Sequence, residues 1–237
     1  MPGMGTVINA AAIILGGFLG LLCGKRLGAA AQDSLCRTCG VATLFLGLAG
    51  AMTGMLRLEE GSLTSTNSML VILCLVLGDL LGELLHIEDR FEALGLWLRE
   101  KTGSAGDPRF VDAFVTASLT VCIGAMAIVG AIQDGIRHDP STLMAKAVLD
   151  FIIILTMTGS MGKGCLFSAL PVAVLQGSVT LLSGLLRPIL TEGAMANLSL
   201  VGSVLIFCVG VNLVWGKQLK VANMLPSVVL AVAAAFL

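Results

Sequence analysis

Long apolar runs separated by short polar segments dominate this chain. A bilayer-spanning α-helix needs roughly 20 apolar residues, because it rises about 1.5 Å per residue across a hydrocarbon core of about 30 Å. Charged residues, glycine and proline mark the breaks between runs. The pattern predicts an all-α, polytopic transmembrane helix bundle that forms a single domain, residues 1–237. About eight spans are expected: Val7–Cys23, Gly40–Leu56, Met69–Leu85, Phe110–Ile132, Leu143–Thr158, Phe167–Leu186, Leu198–Trp215 and Val221–Leu237.

The distribution of Lys and Arg predicts the orientation of the chain. With the N-terminus outside, ten of these residues fall in cytoplasmic loops and four outside, as the positive-inside rule requires. Both termini are then expected outside. The longest cytoplasmic loop, residues 87–109, carries Ile87, Phe91, Leu94 and Leu98 at helical spacing between charges. This spacing predicts a short amphipathic helix on the inner membrane surface.

Composition supports a membrane protein and argues against other classes. Hydrophobic residues make up 57% of the chain and charged residues 12%, and the mean hydropathy is +0.98. A soluble domain of this length cannot bury so much apolar surface, so the lipid bilayer is expected to be the main partner and solvent. A net charge of −1 argues against a nucleic-acid-binding protein.

A repeated Leu- and Gly-rich pattern predicts internal symmetry. It starts at Ile14, Val76 and Val174, and a helix with a central glycine follows each copy. We interpret these as three helix pairs with the third inverted, a plan typical of secondary transporters. The alternative is chance, because both residue types are common here. The central glycines are Gly47, Gly124 and Gly210.

Glycines spaced four residues apart predict close helix packing. These pairs are Gly16 with Gly20, Gly50 with Gly54, and Gly78 with Gly82.

A second glycine cluster follows the fifth span and contains Gly159, Ser160, Gly162 and Gly164. We interpret it either as a broken or re-entrant helix, or as a tight turn. A broken helix would offer free backbone carbonyls or amides to an ion.

Three carboxylates inside apolar runs are the main candidates for function. Hydrocarbon cannot solvate a carboxylate, so each must face a cavity, a partner or water. Asp79 and Glu83 lie one helical turn apart on one face of the third span. The pair suits proton or Na⁺ coupling, unless Glu83 reaches the headgroups and Asp79 bonds a neighbouring helix. Asp150 lies near the middle of the fifth span, and Lys146 at i−4 offers a purely structural ion pair as the alternative.

Uncharged polar residues at membrane depth extend this set. Asn9, Gln176 and Asn212 are each expected either to bond a neighbouring helix or to line a polar path with the carboxylates. Asp134, near the end of the fourth span, is expected at the membrane interface.

The sequence contains few residues in the patterns that catalytic or metal sites need. No Ser-His-Asp, metalloprotease or glycosidase constellation occurs, so no enzyme is predicted. Cys36 and Cys39 form the one closely spaced cysteine pair, and only His86 and His138 exist to complete a metal site. We therefore predict no metal and no cofactor.

Four segments resemble the YqgA-like bacterial inner-membrane proteins, the domain-of-unknown-function 554 family. The likeness spans nearly the whole chain and implies a bacterial plasma membrane location, but no activity or site residues. The segments are Gly5-Thr-Val-Ile-Asn-Ala-Ala-Ala-Ile-Ile-Leu-Gly-Gly17, Gly78-Asp-Leu-Leu-Gly-Glu83, Phe167-Ser-Ala-Leu-Pro171 and Lys220-Val-Ala-Asn-Met-Leu-Pro226.

The sequence thus predicts a membrane transporter or channel-like protein for a cation or small solute, with intramembrane carboxylates along its path. The alternative is a non-transporting scaffold or partner subunit in which the carboxylates hold helices together. Small helix faces are also compatible with a homodimer.

Overall fold

The computed structural model describes residues 3–24, 26, 28–59, 62–104, 106–123 and 125–236. Helices dominate these residues, and two short strands within them pair in an antiparallel arrangement. In chain order the elements are α1 (Met4–Gly24), α2 (Ala29–Met55), β1 (Leu56–Glu59), β2 (Ser62–Ser65), α3 (Ser68–Leu84), α4 (Ile87–Lys101), α5 (Phe110–Cys122), α6 (Ala125–Arg137), α7 (Ser141–Met161), a 3₁₀ segment (Lys163–Ser168), α8 (Ala169–Leu181), α9 (Ser183–Leu186), α10 (Glu192–Trp215), α11 (Pro226–Ala233) and a 3₁₀ segment (Ala234–Phe236).

The helices are those of an all-α membrane helix bundle. Among the described residues, five are long and apolar enough to cross a bilayer, and the number rises to seven if each of two bent pairs counts as one span. The α3–α4 pair bends by 55° and the α5–α6 pair by 60°. The eighth expected span corresponds to a shorter apolar helix, Pro226–Phe236. The amphipathic helix expected within residues 87–109 falls where α4 lies.

Contacts divide the chain into two compact units. Unit 1 comprises Met1–Cys39, Arg90–Cys122 and Met126–Leu186, and unit 2 comprises Gly40–Asp89, Ile123–Ala125 and Arg187–Leu237.

In unit 1, α1 and α7 pack side by side and run in the same direction. Glycines of α1 contact residues of α7, and the residue numbers rise together along both helices. A Cβ at Gly20 or Gly24 would overlap a backbone carbonyl of α7, so the approach requires glycine. The contacting pairs are Gly5–Leu143, Gly16–Phe151, Gly20–Leu155 and Gly24–Gly159.

The chain reverses direction between α7 and α8. α7 ends at Met161, and Gly162 takes a φ of +99°, a left-handed value that favours glycine, before the 3₁₀ segment begins. Leu166 then packs against Gly17 of α1. The glycine cluster therefore forms the turn between two apolar helices, with Gly159 and Ser160 in the last turn of α7.

In unit 2, glycines again mark the helix contacts. The second half of α2 runs antiparallel to α10, and α3 runs antiparallel to α11. The glycine spacing predicted such packing, and the three predicted pairs all lie at helix contacts within their own unit. In unit 2 the contacting pairs are Gly40–Val214, Gly47–Phe207, Gly50–Ser203, Gly54–Leu200, Gly78–Ser227 and Gly82–Asn223.

The three-pair repeat stays a prediction. Gly47 and Gly210, two of its central glycines, lie on the same α2–α10 contact. Gly124, the third, lies outside the described residues.

Candidate functional site

A buried ion pair lies inside unit 1. The Nζ atom of Lys146 donates to Oδ2 of Asp150 at 2.5 Å and to the backbone carbonyl of Val121 at 2.8 Å. The Nδ2 atom of Asn9 donates to the same Oδ2 at 3.0 Å. Asp150 is 3% exposed and Lys146 6% exposed. Two sequence-predicted residues, Asn9 and Asp150, are thus in direct contact.

Local sequence explains how these groups meet. Lys146 and Asp150 are four residues apart on α7, so their side chains lie one turn apart on one face. Asn9 lies on the face of α1 that packs against α7, between the contact residues Gly5 and Gly16. Val121 lies in the last turn of α5, where carbonyls lack helical partners and can accept from a side chain.

Several buried polar atoms of unit 1 have no hydrogen-bond partner among the described residues. Leaving one such atom unpaired costs about 1–3 kcal/mol, so a core built only for stability would avoid them. All of these atoms belong to unit 1. They are the side-chain oxygens of Thr6, Ser118, Thr158, Ser168 and Thr180, Oδ1 of Asn9 and of Asp134, both polar atoms of Gln176, and Nε of Arg99.

Gln176 lies at about the same depth as Asn9. Leu166, just before α8, contacts Gly17 in the second half of α1. Thr180, near the end of α8, contacts Gly135, and the adjacent Asp134 accepts a hydrogen bond from Gly5 at the start of α1. Gln176 precedes Thr180 by four residues, and Asn9 follows Gly5 by four, so each lies about 6 Å from that end. Gln176 is 1% exposed, and no described residue bonds its amide.

Asp134 lies near the end of α6, at the Gly5 end of unit 1. It is fully buried, and its Oδ2 accepts the backbone N–H of Gly5 at 2.9 Å. The first backbone N–H groups of a helix lack helical partners and carry the positive end of its dipole, which a carboxylate satisfies well. The sequence signal for this contact was absent, because 129 residues separate the two partners.

A cavity of about 150 Å³ lies at the Gly24 end of unit 1. Arg109 and Thr158 both line it. The Thr158 hydroxyl is buried and has no hydrogen-bond partner among the described residues. This volume holds several water molecules, since one occupies about 30 Å³ in the liquid. Its lining residues are Leu21, Gly24, Gln32, Arg109, Thr158, Gly159 and Gly162.

The other members of the glycine cluster serve local packing. Ser160 donates to the carbonyls of Thr156 and Met157. A Cβ at Gly164 would overlap the carbonyl of Phe110, so glycine permits the 3₁₀ segment to pack closely on α5.

In unit 2, Glu83 is neutralised by a cation. Lys220 donates to both carboxylate oxygens at 3.0 and 3.1 Å, and Asn223 donates to Oε2. The hydrogen bond to Glu83 raises the pKa of Lys220 above its ordinary value. Both charged side chains are more than half exposed. Glu83 therefore belongs to an exposed ion pair near the end of α3.

Asp79 lies on the exposed side of α3, among apolar side chains such as Val76 and Leu80. Within the described part of the chain, no hydrogen bond or ion pair reaches its carboxylate. Asp79 and Glu83 both belong to unit 2, whereas Asp150 belongs to unit 1.

Asn212 holds a loop. Its Oδ1 accepts the backbone N–H groups of Gln218 and Leu219, both at 2.9 Å, and its Nδ2 donates to the Leu219 carbonyl. The side-chain amide is therefore used by the backbone that follows α10.

Sequence reasoning missed a buried carboxylate in unit 2, Glu88. Glu88 is buried at the start of α4, accepts the backbone N–H of Ala222 and pairs with Lys217 at 3.0 Å. Its own N–H donates to Asn223. These partners lie more than 125 residues away along the chain, so no local pattern reveals them.

Comparison with known proteins supports the resemblance drawn from the sequence. The chain is 29% identical over 233 residues to the "Uncharacterized protein YqgA" of Escherichia coli (strain K12), covering 96% of this chain and 94% of that protein. It is 27% identical over 226 residues to the "Uncharacterized membrane protein YdfK" of Bacillus subtilis (strain 168), covering 95% and 93%. No solved structure matches the chain. Residues 4–236 match the family model described as "Protein of unknown function (DUF554)", and the chain therefore belongs to the DUF554 family of proteins.

Proposed function

We propose that this protein moves a cation or a small solute across the membrane, as a transporter or channel-like protein, through a polar path in unit 1 centred on Asp150. The observation that supports this proposal is the buried Lys146–Asp150 pair inside an apolar helix of bilayer length. Charged side chains inside membrane spans are costly and mark ion or substrate pathways.

A purely structural role explains this arrangement less well. Apolar residues of similar volume often stabilise a fold as well as a buried ion pair does. The unit that holds the pair also contains buried polar atoms that no described residue satisfies, including those of Asn9, Ser118 and Gln176. Water or a passing solute would satisfy them, and a path must present such atoms.

Flux through reconstituted protein tests the proposal. Asp150→Asn keeps the side-chain size and removes the charge, so we expect uptake of Na⁺, K⁺ or H⁺ into proteoliposomes to fall by roughly tenfold or more. Asp33→Asn is the matched control, because Asp33 is an exposed residue of unit 1 paired with Arg37, and its flux should equal that of the wild type. Equal flux for wild type and Asp150→Asn would contradict the proposal, as would wild-type flux no greater than that of empty liposomes.

We place the protein in the bacterial plasma membrane with both termini outside. Helix directions within each unit support eight passes of alternating direction: α1 and α7, the first and fifth passes, run the same way, and α3 runs antiparallel to the eighth. The short Pro226–Phe236 helix would complete the eighth pass together with the preceding turn, residues 221–225.

The exposed carboxylate of Asp79 favours a second candidate, a non-transporting scaffold or partner subunit. A carboxylate that faces lipid is costly, whereas a polar group of another membrane protein, or of a second copy, would satisfy it. A photo-cross-linker at Val76, an exposed residue about one turn earlier on the face of Asp79, tests this in native membranes. Repeated recovery of one specific protein, without flux in liposomes, supports the second candidate. Cross-links to lipid alone contradict it.

A further inference from the structure

We infer that the Lys146 ammonium occupies a binding site for a monovalent cation, and that the transported or coupled cation binds there in its place. The inference rests on the proposed function and names the substrate class of the same path.

Two oxygens accept hydrogen bonds from the Lys146 ammonium, and a third oxygen lies on the neighbouring Asn9 amide; together they offer ligands for a hard cation. Oδ2 of Asp150 lies 2.5 Å from Nζ and the Val121 carbonyl lies 2.8 Å away. Oδ1 of Asn9 belongs to the amide that bonds the same carboxylate, is buried, and has no partner among the described residues. Carboxylate, carbonyl and amide oxygens are the ligands that hard cations prefer.

The end of α5 adds a further attraction for a cation. α5 stops at Cys122, partway along a bent helix pair, and α6 starts at Ala125. The C-terminus of a helix carries partial negative charge, and half-helix ends inside membranes coordinate Na⁺ or H⁺ in transporters. The Val121 carbonyl is one of these terminal acceptors, and it binds the Lys146 ammonium directly.

Charge selects a monovalent ion. Asp150 and Lys146 together are neutral, and one carboxylate balances one positive charge. When the flexible Lys146 side chain swings its ammonium out of the site, one monovalent cation balances the Asp150 carboxylate, whereas a divalent cation would leave an excess positive charge in apolar surroundings, where solvation is poor. Na⁺, K⁺ and small ammonium ions share the required chemistry.

Chemical rescue tests the inference directly. Lys146→Ala removes the tethered ammonium and leaves the oxygens, so NaCl, KCl or methylammonium chloride should stabilise the purified variant in detergent, with choline chloride keeping the ionic strength constant. We expect at least one cation to raise the Tm saturably, by roughly 5–10 °C at 100 times its Kd, and more than it raises the wild-type Tm. The three salts distinguish a metal ion from an ammonium ion.

A double variant provides the matched control. Lys146→Met combined with Asp150→Asn keeps the side-chain volumes and removes both charges, so it should fold and show no cation-specific rise in Tm. If Lys146→Ala is recovered folded only when one of these cations is present during extraction, that recovery is itself the expected result. Equal responses of the two variants overturn the inference, as does the lack of any response or recovery of Lys146→Ala with all three cations.

The result separates this inference from the proposed function. Cation binding in detergent without liposome flux supports the site and contradicts transport. Flux without rescue supports transport and overturns the site.

Discussion

Asp150 accepts both of its side-chain hydrogen bonds through one oxygen, Oδ2, from Lys146 and Asn9. Oδ1 of Asn9, on the amide that bonds this carboxylate, has no partner among the described residues. A partly satisfied buried network destabilises a fold relative to an apolar core. At the residue scale, this pattern favours a site that exchanges partners over a fixed helix–helix bond.

Gln176 gives a prediction about stability and flux. Gln176→Leu removes two buried polar atoms that no described residue satisfies, so we expect the free energy of unfolding to rise by about 1–3 kcal/mol. Liposome flux should fall, because the path loses a polar group. Thermal unfolding in detergent and the flux assay measure the two effects.

The matched control is the same substitution at Gln133. Its Oε1 accepts the hydroxyl of Thr142 at 2.6 Å, so Gln133→Leu should lower stability by about 1 kcal/mol. If both variants lose stability equally, Gln176 has a partner in the folded protein and its assignment to the path is wrong.

At the element scale, the glycine face of α1 brings Asn9 into reach of Asp150. Gly16, Gly20 and Gly24 let α1 approach the backbone of α7. Because such contacts depend on close packing rather than on the hydrophobic effect in lipid, a single methyl group can separate the helices.

Gly20→Ala is expected to lower the free energy of unfolding by about 1–3 kcal/mol, because its Cβ would overlap Leu155 and Thr158. Gly177→Ala on α8 is the control, since nothing lies within 4 Å of its Cβ position. That change should leave stability unchanged or raise it by up to about 1 kcal/mol, the helix preference of Ala over Gly. Thermal unfolding distinguishes them, and equal losses would contradict the assigned α1–α7 contact.

The break between α5 and α6 makes a backbone carbonyl available to Lys146. A continuous helix would use the Val121 carbonyl in its own hydrogen-bond ladder, whereas a helix that ends at Cys122 leaves it free for Lys146. Ile123 and Gly124 are apolar and small residues that are common in transmembrane helices. The sequence therefore predicted one uninterrupted span, Phe110–Ile132, and gave no sign of the break.

At the scale of the whole molecule, the charges predict an orientation, and the helix directions within each unit fit passes of alternating direction. The loops that hold Arg109, Lys163 and Lys217 are expected inside by the positive-inside rule. The parallel α1 and α7 fit passes that cross in the same direction.

Reporter fusions test this orientation. Alkaline phosphatase fused after Leu237 should be active, because it matures only outside the plasma membrane, and green fluorescent protein at the same position should be dark. The same two reporters inserted in the loop after Lys101 should give the opposite result. Fluorescence from the C-terminal fusion would contradict the proposed orientation.

The sequence by itself determined the class of protein. Apolar runs of bilayer length can be stable only as helices in lipid, because every backbone polar group must be satisfied within the segment. The same argument marked Asp150 and Asn9, since polar groups in such runs need partners. The four-residue spacing of glycines predicted close helix contacts, because residues four apart share a helix face.

Only the tertiary structure decided which polar residues meet. The partners of Asp150, Asp134 and Glu88 include groups 129–141 residues away, and no local period encodes such distances. In the folded structure Glu83 pairs with Lys220, Asp79 is exposed, and the Asn212 side chain bonds the loop that follows α10. The physical reason is that a carboxylate's role depends on which groups solvate it, and folding brings those groups from distant parts of the chain.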